Sequence, residues 1–147
     1  METFARIITA LAAVFIVLMI FERYLEIDRL RNDNAESRIR TIYGNIKEKG
    51  FISATDMLEL KEAASLCRGS ISVSAGCRRD DVGEDGSVHF YREYLYAKEI
   101  EQLIIEEGSF VLSPGDTLSI KVENVRGSGT LLPWAVRKGA LTVGGMI

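Results

Sequence analysis

By its pattern of apolar and polar positions the chain divides into a bare hydrophobic front, an amphipathic continuation and a mixed remainder. The stretch 7–21, IITALAAVFIVLMIF, is apolar apart from one threonine. As a helix it is roughly 22 Å long, short of a hydrocarbon core about 30 Å thick. Starting at Phe4, with Arg6 snorkelling toward the headgroups, the span reaches roughly 27 Å. The run then passes straight into ERYLEIDRL, with no Gly, no Pro and no small-residue cleavage site. That sequence predicts a retained helix rather than a removed secretory signal.

Between residues 22 and 49, Gly44 is the sole glycine and there is no proline. Apolar residues fall at Ile27, Leu30, Ile39, Ile42 and Ile46, mostly three or four apart, with Ala35 in the gap. This is the spacing of a helix with one buried face. Glu36 and Arg40 stand in the favourable i,i+4 order. Lys47 and Lys49 occupy the last turn, and Gly50 follows as the residue that ends it. One helix over about residues 4–49 is therefore predicted, roughly 70 Å long. Its first half suits lipid. Its second half suits a protein surface on one side and water on the other.

The remainder mixes periods. Ser53 and Asp56 form a capping-box pair that opens a second helix over 54–66, with Met57, Leu60 and Ala64 on one face and Gly69 ending it. The stretch 70–75, SISVSA, alternates as a short half-buried strand. A polar Gly/Asp loop is expected over 80–86, and Val88, Phe90 and Tyr91 form either a strand or a surface segment. A third helix is predicted over 93–107, carrying Leu95, Ile100, Leu103 and Ile104 and stopping at Gly108. A short strand at 110–112 leads to the turn Ser113-Pro114-Gly115-Asp116. Thr117 to Val125 alternates cleanly, with Leu118, Ile120 and Val122 inward. A loop over 126–130, an apolar cluster at 131–134 and a last strand at 140–143 complete the chain. The expected fold class is α+β: a long helix carrying a small head with an antiparallel sheet of three or four short strands and short helices. Three regions follow: 1–21 as transmembrane or assembly segment, 22–50 as continuation of the same helix, and 51–147 as the head.

Composition narrows the function classes. Lys and Arg number 18 against 21 Asp and Glu, for a net charge of −3. With no block of basic residues, there is no electrostatic footprint for nucleic acid. One histidine and two cysteines are a poor inventory for a metal site or a nucleophile–base pair. His89, in SVHFY, reads as structural. The loop DDVGEDG lacks calcium-loop spacing. No hydrolase elbow, zinc-protease helix, phosphate loop or dinucleotide fingerprint is present. No catalytic residue, metal or cofactor is expected. The cluster Leu131, Leu132, Pro133 and Trp134 reads as either an exposed binding patch or the cover over one end of the core.

Cys67 and Cys77 sit beside Arg and Gly at polar boundaries rather than inside apolar runs. A disulfide between them is the favoured expectation, worth about 2.5–3 kcal/mol in the chain-entropy model. The alternative is a pair of reduced, buried thiols in a cytoplasmic protein.

The order of parts resembles a type IV pilin or pseudopilin: a bare hydrophobic helix, its unbroken amphipathic half, then a small cysteine-containing head. The stretch IEQLIIEEGSFVLSPGDTLSIKVEN is similar to a helix–Gly–strand–G-D–strand pattern in minor pilin-like subunits of Tad (tight-adherence) pilus systems. The ending TVGGMI resembles their terminal strand. The resemblance implies a non-catalytic, membrane-inserted subunit of a surface filament, with its head outside the cytoplasm and partners that are copies of itself or other pilin-like chains. Packing between helices would fall to Ala10, Ala13, Val14, Ile16 and Leu18, small residues allowing close approach. The arginines point the other way: Arg23, Arg29, Arg31, Arg38 and Arg40 follow the apolar run and only Arg6 precedes it. By the positive-inside rule that asymmetry places the head in the cytoplasm. The alternative function is a monomeric membrane-anchored binding or regulatory module with a helical tether.

Overall fold

The computed structural model describes residues 2–67, 69–124 and 140–147. The elements run in the order α1 (Glu2–Lys49), β1 (Phe51–Ser53), α2 (Ala54–Leu66), β2 (Gly69–Val82), β3 (Val88–Tyr96), α3 (Ala97–Glu107), β4 (Ser109–Val111), β5 (Thr117–Asn124) and β6 (Ala140–Met146). The arrangement is α+β, a long amino-terminal helix followed by antiparallel sheets and short helices.

α1 is one unbroken helix of 48 residues, as its lack of interior proline allows. It stops where the sequence places the stop. Gly50 takes φ 74° and its N–H donates to the Ile46 carbonyl at 2.8 Å. Glu36 and Arg40 pair at 2.8 Å on the exposed side.

Ser53 caps α2 through the reciprocal box with Asp56, and α2 buries Met57, Leu60, Ala63 and Ala64. β1 and β4 form a two-stranded ladder, and the main sheet has the order β3-β2-β5-β6. Its inner face is Val73, Ala75 and Cys77 of β2, Leu118, Ile120 and Val122 of β5, and Val143 of β6. These pack with Ala63 and Ala64 of α2, Ile100 and Ile104 of α3, and the α1 stripe Ile39, Ile42 and Ile46 into one core. The alternation predicted for residues 117–125 thus places its three apolar side chains inside. On β6, Gly145 lies opposite Leu118, and a Cβ there would sit 3.2 Å from the Tyr43 hydroxyl of α1. The absent side chain allows the sheet to close onto the helix.

The structure corrects three boundaries. The strand expected over 70–75 runs on to Val82, so Asp80 and Asp81 belong to β2 rather than to a loop. Residues 93–96, read as the start of the third helix, belong to β3, and α3 begins at Ala97. The last strand reaches Met146. The apolar cluster Leu131, Leu132 and Trp134 lies outside the described residues.

The expected disulfide is also corrected, since both cysteines are free. Cys67 caps α2, and its Sγ donates to the Ala64 carbonyl at 3.1 Å. Cys77 lies in the middle of β2, buried and opposite Glu93. The chain from Gly69 to Cys77 is continuous strand, about 26 Å at ~3.3 Å per residue. A disulfide requires Cα atoms within about 7 Å. Ten residues of separation close a loop only if the chain turns, and here it does not. Burial, with Asp116 nearby, raises the Cys77 thiol above its ordinary value and keeps it protonated.

Candidate functional site: the uncovered half of α1

Among the described residues, the head covers α1 only from Ala35 onward. Ala35, Ile39, Ile42 and Ile46 are buried, whereas every residue from 3 to 27 is exposed. The uncovered stretch carries twelve large apolar side chains between Phe4 and Phe21, none less than 37% exposed. At about 1.5 kcal/mol per side chain left in water, their exposure would cost ~18 kcal/mol. That exceeds the ~5–15 kcal/mol by which a domain is stable. The stretch therefore needs an apolar environment that the described residues do not supply. α1 is long and apolar enough to cross a membrane.

Helical geometry sorts the packing residues named from the sequence. At 100° per residue, Ala10, Ala13, Val14 and Leu18 share one face about 140° wide, and Ile16 lies on the far side. All five are exposed. The threonine within the run is satisfied internally, Thr9 Oγ1 donating to the Ala5 carbonyl at 2.9 Å. The arginines that follow are tied to neighbouring acids on the same helix. Arg23 meets Glu26 at 3.1 Å and Arg29 meets Asp33 at 3.9 Å.

Beyond the buried isoleucine stripe, the end of α1 is tied to the head by a compact polar joint that sequence reading found only in part. Lys49 Nζ donates to both carboxylate oxygens of Asp56, at 2.7 and 2.8 Å. Ser53 donates to the same carboxylate through its N–H at 2.8 Å and its hydroxyl at 2.6 Å. Lys49 also lies over the Phe51 ring, 5.2 Å from its centroid. Behind the joint, Leu112 N–H donates to the Gly50 carbonyl at 2.8 Å. The capping box was legible from the Ser-x-x-Asp spacing. The lysine was not, because it comes from the other helix. Burial alone would raise the Asp56 carboxyl. The hydrogen bonds from Lys49 and Ser53 outweigh it and leave the group below its ordinary value. Because the folded value is the lower one, the stabilisation is complete above the unfolded value of about 3.9 and disappears as pH falls through the folded value. Asp56→Ala should cost about 2 kcal/mol at pH 7, through the lost cap and the unpaired ammonium. The deficit should shrink below about pH 4. Thermal melts of the two proteins at pH 7 and pH 3 in detergent check this; an equal gap at both would contradict it.

A second polar joint centres on Asp116, which is 3% exposed. Its carboxylate accepts from Arg78 N–H at 2.9 Å and Ser113 N–H at 2.8 Å. Its carbonyl accepts from Ile147 N–H at 2.9 Å. It thereby ties the 113–116 turn, the middle of β2 and the carboxyl end together.

His89 lies on the exposed β3. Its Nε2 is 2.9 Å from Ser87 Oγ, and that hydroxyl donates to Asp85 at 2.6 Å. The three residue types are those of a nucleophile triad, but the order is wrong for one. The aspartate meets the serine rather than the histidine, which is not the arrangement of a serine–histidine–aspartate relay. These hydrogen bonds close the β2–β3 turn, and those from Ser87 lower the Asp85 carboxyl. Among the described residues no three His, Cys, Asp or Glu side chains gather as metal ligands. No family model, curated protein or solved structure matches the chain.

Proposed function

We propose that this chain is a membrane-inserted structural subunit of a surface filament, a minor pilin-like or pseudopilin-like protein that assembles through the apolar half of α1. One observation carries the reading: a single unbroken helix whose carboxyl half is an integral part of the head's core and whose amino half is bare and apolar. A mere tether has no need to be rigidly continuous with the domain it holds. A subunit that hands its helix from lipid to a bundle of other helices does, because the position of every head is then set by the packing of its helix. The resemblance to Tad-type minor pilins in layout and in residues 100–124 supports the same reading.

A second reading is favoured by two observations. The cysteines are unbonded, and five arginines follow the apolar run. Both suit a head in the cytoplasm, where the chain would act as a membrane-anchored binding or regulatory module.

One experiment separates the readings. In the structural subunit, Ala13→Leu widens the close-approach face of α1. It should reduce filament or complex yield at least tenfold while the head remains folded. His89→Ala, on the exposed hairpin, should leave yield within twofold. Yield is read by microscopy and by co-purification from detergent. A silent Ala13→Leu together with a damaging His89→Ala would replace the filament reading with a site on the head.

A further inference from the structure

The stripe by which α1 joins the core, Ala35, Ile39, Ile42 and Ile46, has a spacing that continues below the head. Phe21, Leu25, Asp28 and Asn32 extend the same alternation of four and three, and they fall within about 60° of one another at 100° per residue. This face is less bare than the rest of the neck. Asp28 and Asn32 are half-buried, alone among residues 22–34. Phe21 and Leu25, 37% and 43% exposed, are the least exposed large apolar side chains between Phe4 and Leu30. Leu30, on the opposite side of the helix, is 62% exposed.

The topology brings one segment to this face. β6 returns along α1 from its carboxyl end. Ile147 N–H donates to the Asp116 carbonyl in the turn that Leu112 ties to Gly50, and Gly145 lies beside the Tyr43 hydroxyl. The first residue of β6, Ala140, and its partner Glu123 on β5 therefore stand at the end of the head from which the neck emerges. α2 leads to the same place. It starts at the Lys49 joint, packs in the core with α1 and ends at Leu66, shortly before Gly69, the cross-strand partner of Asn124. Between Asn124 and Ala140 lie residues 125–139, outside the described residues and longer than hairpin connections usually are. Leu132, at their middle, can reach about 25 Å at ~3.3 Å per residue. The helix from Ala35 down to Phe21 is about 21 Å long.

We propose that the 125–139 connection docks along the Phe21–Leu25–Asp28–Asn32 face of α1, with Leu131, Leu132 and Trp134 against Phe21 and Leu25. Its chemistry matches the face. Its apolar residues cluster at the middle, level with the apolar end of the neck, and burying them there removes both surfaces from water. It carries Arg126, Arg137 and Lys138 and no acid, and Asp28 is the one charged residue of the face. The hold of the head on α1 then extends from Ala35 to the edge of the apolar run, so that neck and head move as one piece. The docking lies within one chain and is independent of what the apolar run itself packs against.

The test uses the full chain in phospholipid vesicles. Leu25→Cys with Leu132→Cys should form a disulfide within one chain, mapped by mass spectrometry, at least tenfold faster than Leu30→Cys with Leu132→Cys, whose helix position is at a similar height on the opposite side. Trp134, the chain's one tryptophan, supplies a second readout without a label. Leu25→Asp should move its emission to longer wavelength and at least double its quenching by acrylamide, and Leu30→Asp should do neither. Equal disulfide rates for the two pairs, or a 25–132 bond that forms only between copies, overturn the proposal. A Trp134 emission indifferent to Leu25→Asp overturns it too. Quenching of Trp134 by bromine-bearing lipid, with no preference for the 25–132 pair, would give the segment to the membrane instead.

Discussion

A chain starting at Glu22 will leave the membrane fraction almost completely, whereas the full chain will stay in it until detergent is added. The large expected effect follows from the placement of apolar surface. All twelve large apolar side chains between Phe4 and Phe21 are exposed, and no part of that stretch contributes to the head's core. Removing them takes away the ~18 kcal/mol drive out of water without touching a buried residue. The neck that remains, residues 22–34, carries Arg23, Arg29 and Arg31 with their acids and is soluble as a helix. The truncated chain should keep the cooperative thermal transition of the full one. Fractionation of lysates by centrifugation, with and without detergent, reads the result. A full chain in the detergent-free supernatant, or a truncated chain that pellets, would remove the basis for membrane insertion.

The second large effect separates the two halves of the same helix. Ile39→Asp will abolish the folded head, and Ile27→Asp will leave it nearly untouched. Ile39 is fully buried among residues of α1, α2 and the sheet. A carboxylate there has no partner, so the substitution adds the cost of a buried unpaired charge, several kcal/mol, to the lost packing of an isoleucine, about 2–5 kcal/mol. The sum reaches the whole stability of a domain this size. Ile27 is 51% exposed on the neck, where a carboxylate stays in water and costs within about 0.5 kcal/mol. Thermal melts and limited proteolysis in detergent should give no transition for Ile39→Asp and a near-normal one for Ile27→Asp. Equal behaviour of the two would mean that the head does not begin where Ala35 is first buried.

The long helix was legible in the sequence because its signals are local. They are an apolar run, a 3-4 repeat, paired charges and a terminal glycine, all within one element. The α2 capping box and the alternation of β5 were legible for the same reason. The β2–β3 hairpin was not. Its residues Asp80, Asp81, Arg92 and Glu93 are polar on both faces, so the period-2 pattern that marks a half-buried strand is absent where no core lies beneath. Leu95 and Ile100 fit a helical spacing across a boundary that only tertiary pairing sets, Leu95 facing Ala75 from β3. The cysteine spacing misled because loop-closure reasoning presumes a turn, and an extended strand fills the interval instead. The Lys49–Asp56 joint was hidden because its partners come from two elements whose approach depends on the fold of the whole head.

The most direct measurement of assembly through α1 is a scan of photo-reactive side chains placed singly at each position from 7 to 21 in the full chain, in living cells. Helix-to-helix assembly predicts protein adducts that recur every three to four residues, strongest on the face of Ala10, Ala13, Val14 and Leu18 and weak at Ile16. Adducts with lipid alone at every position, and with no protein at any, would contradict it.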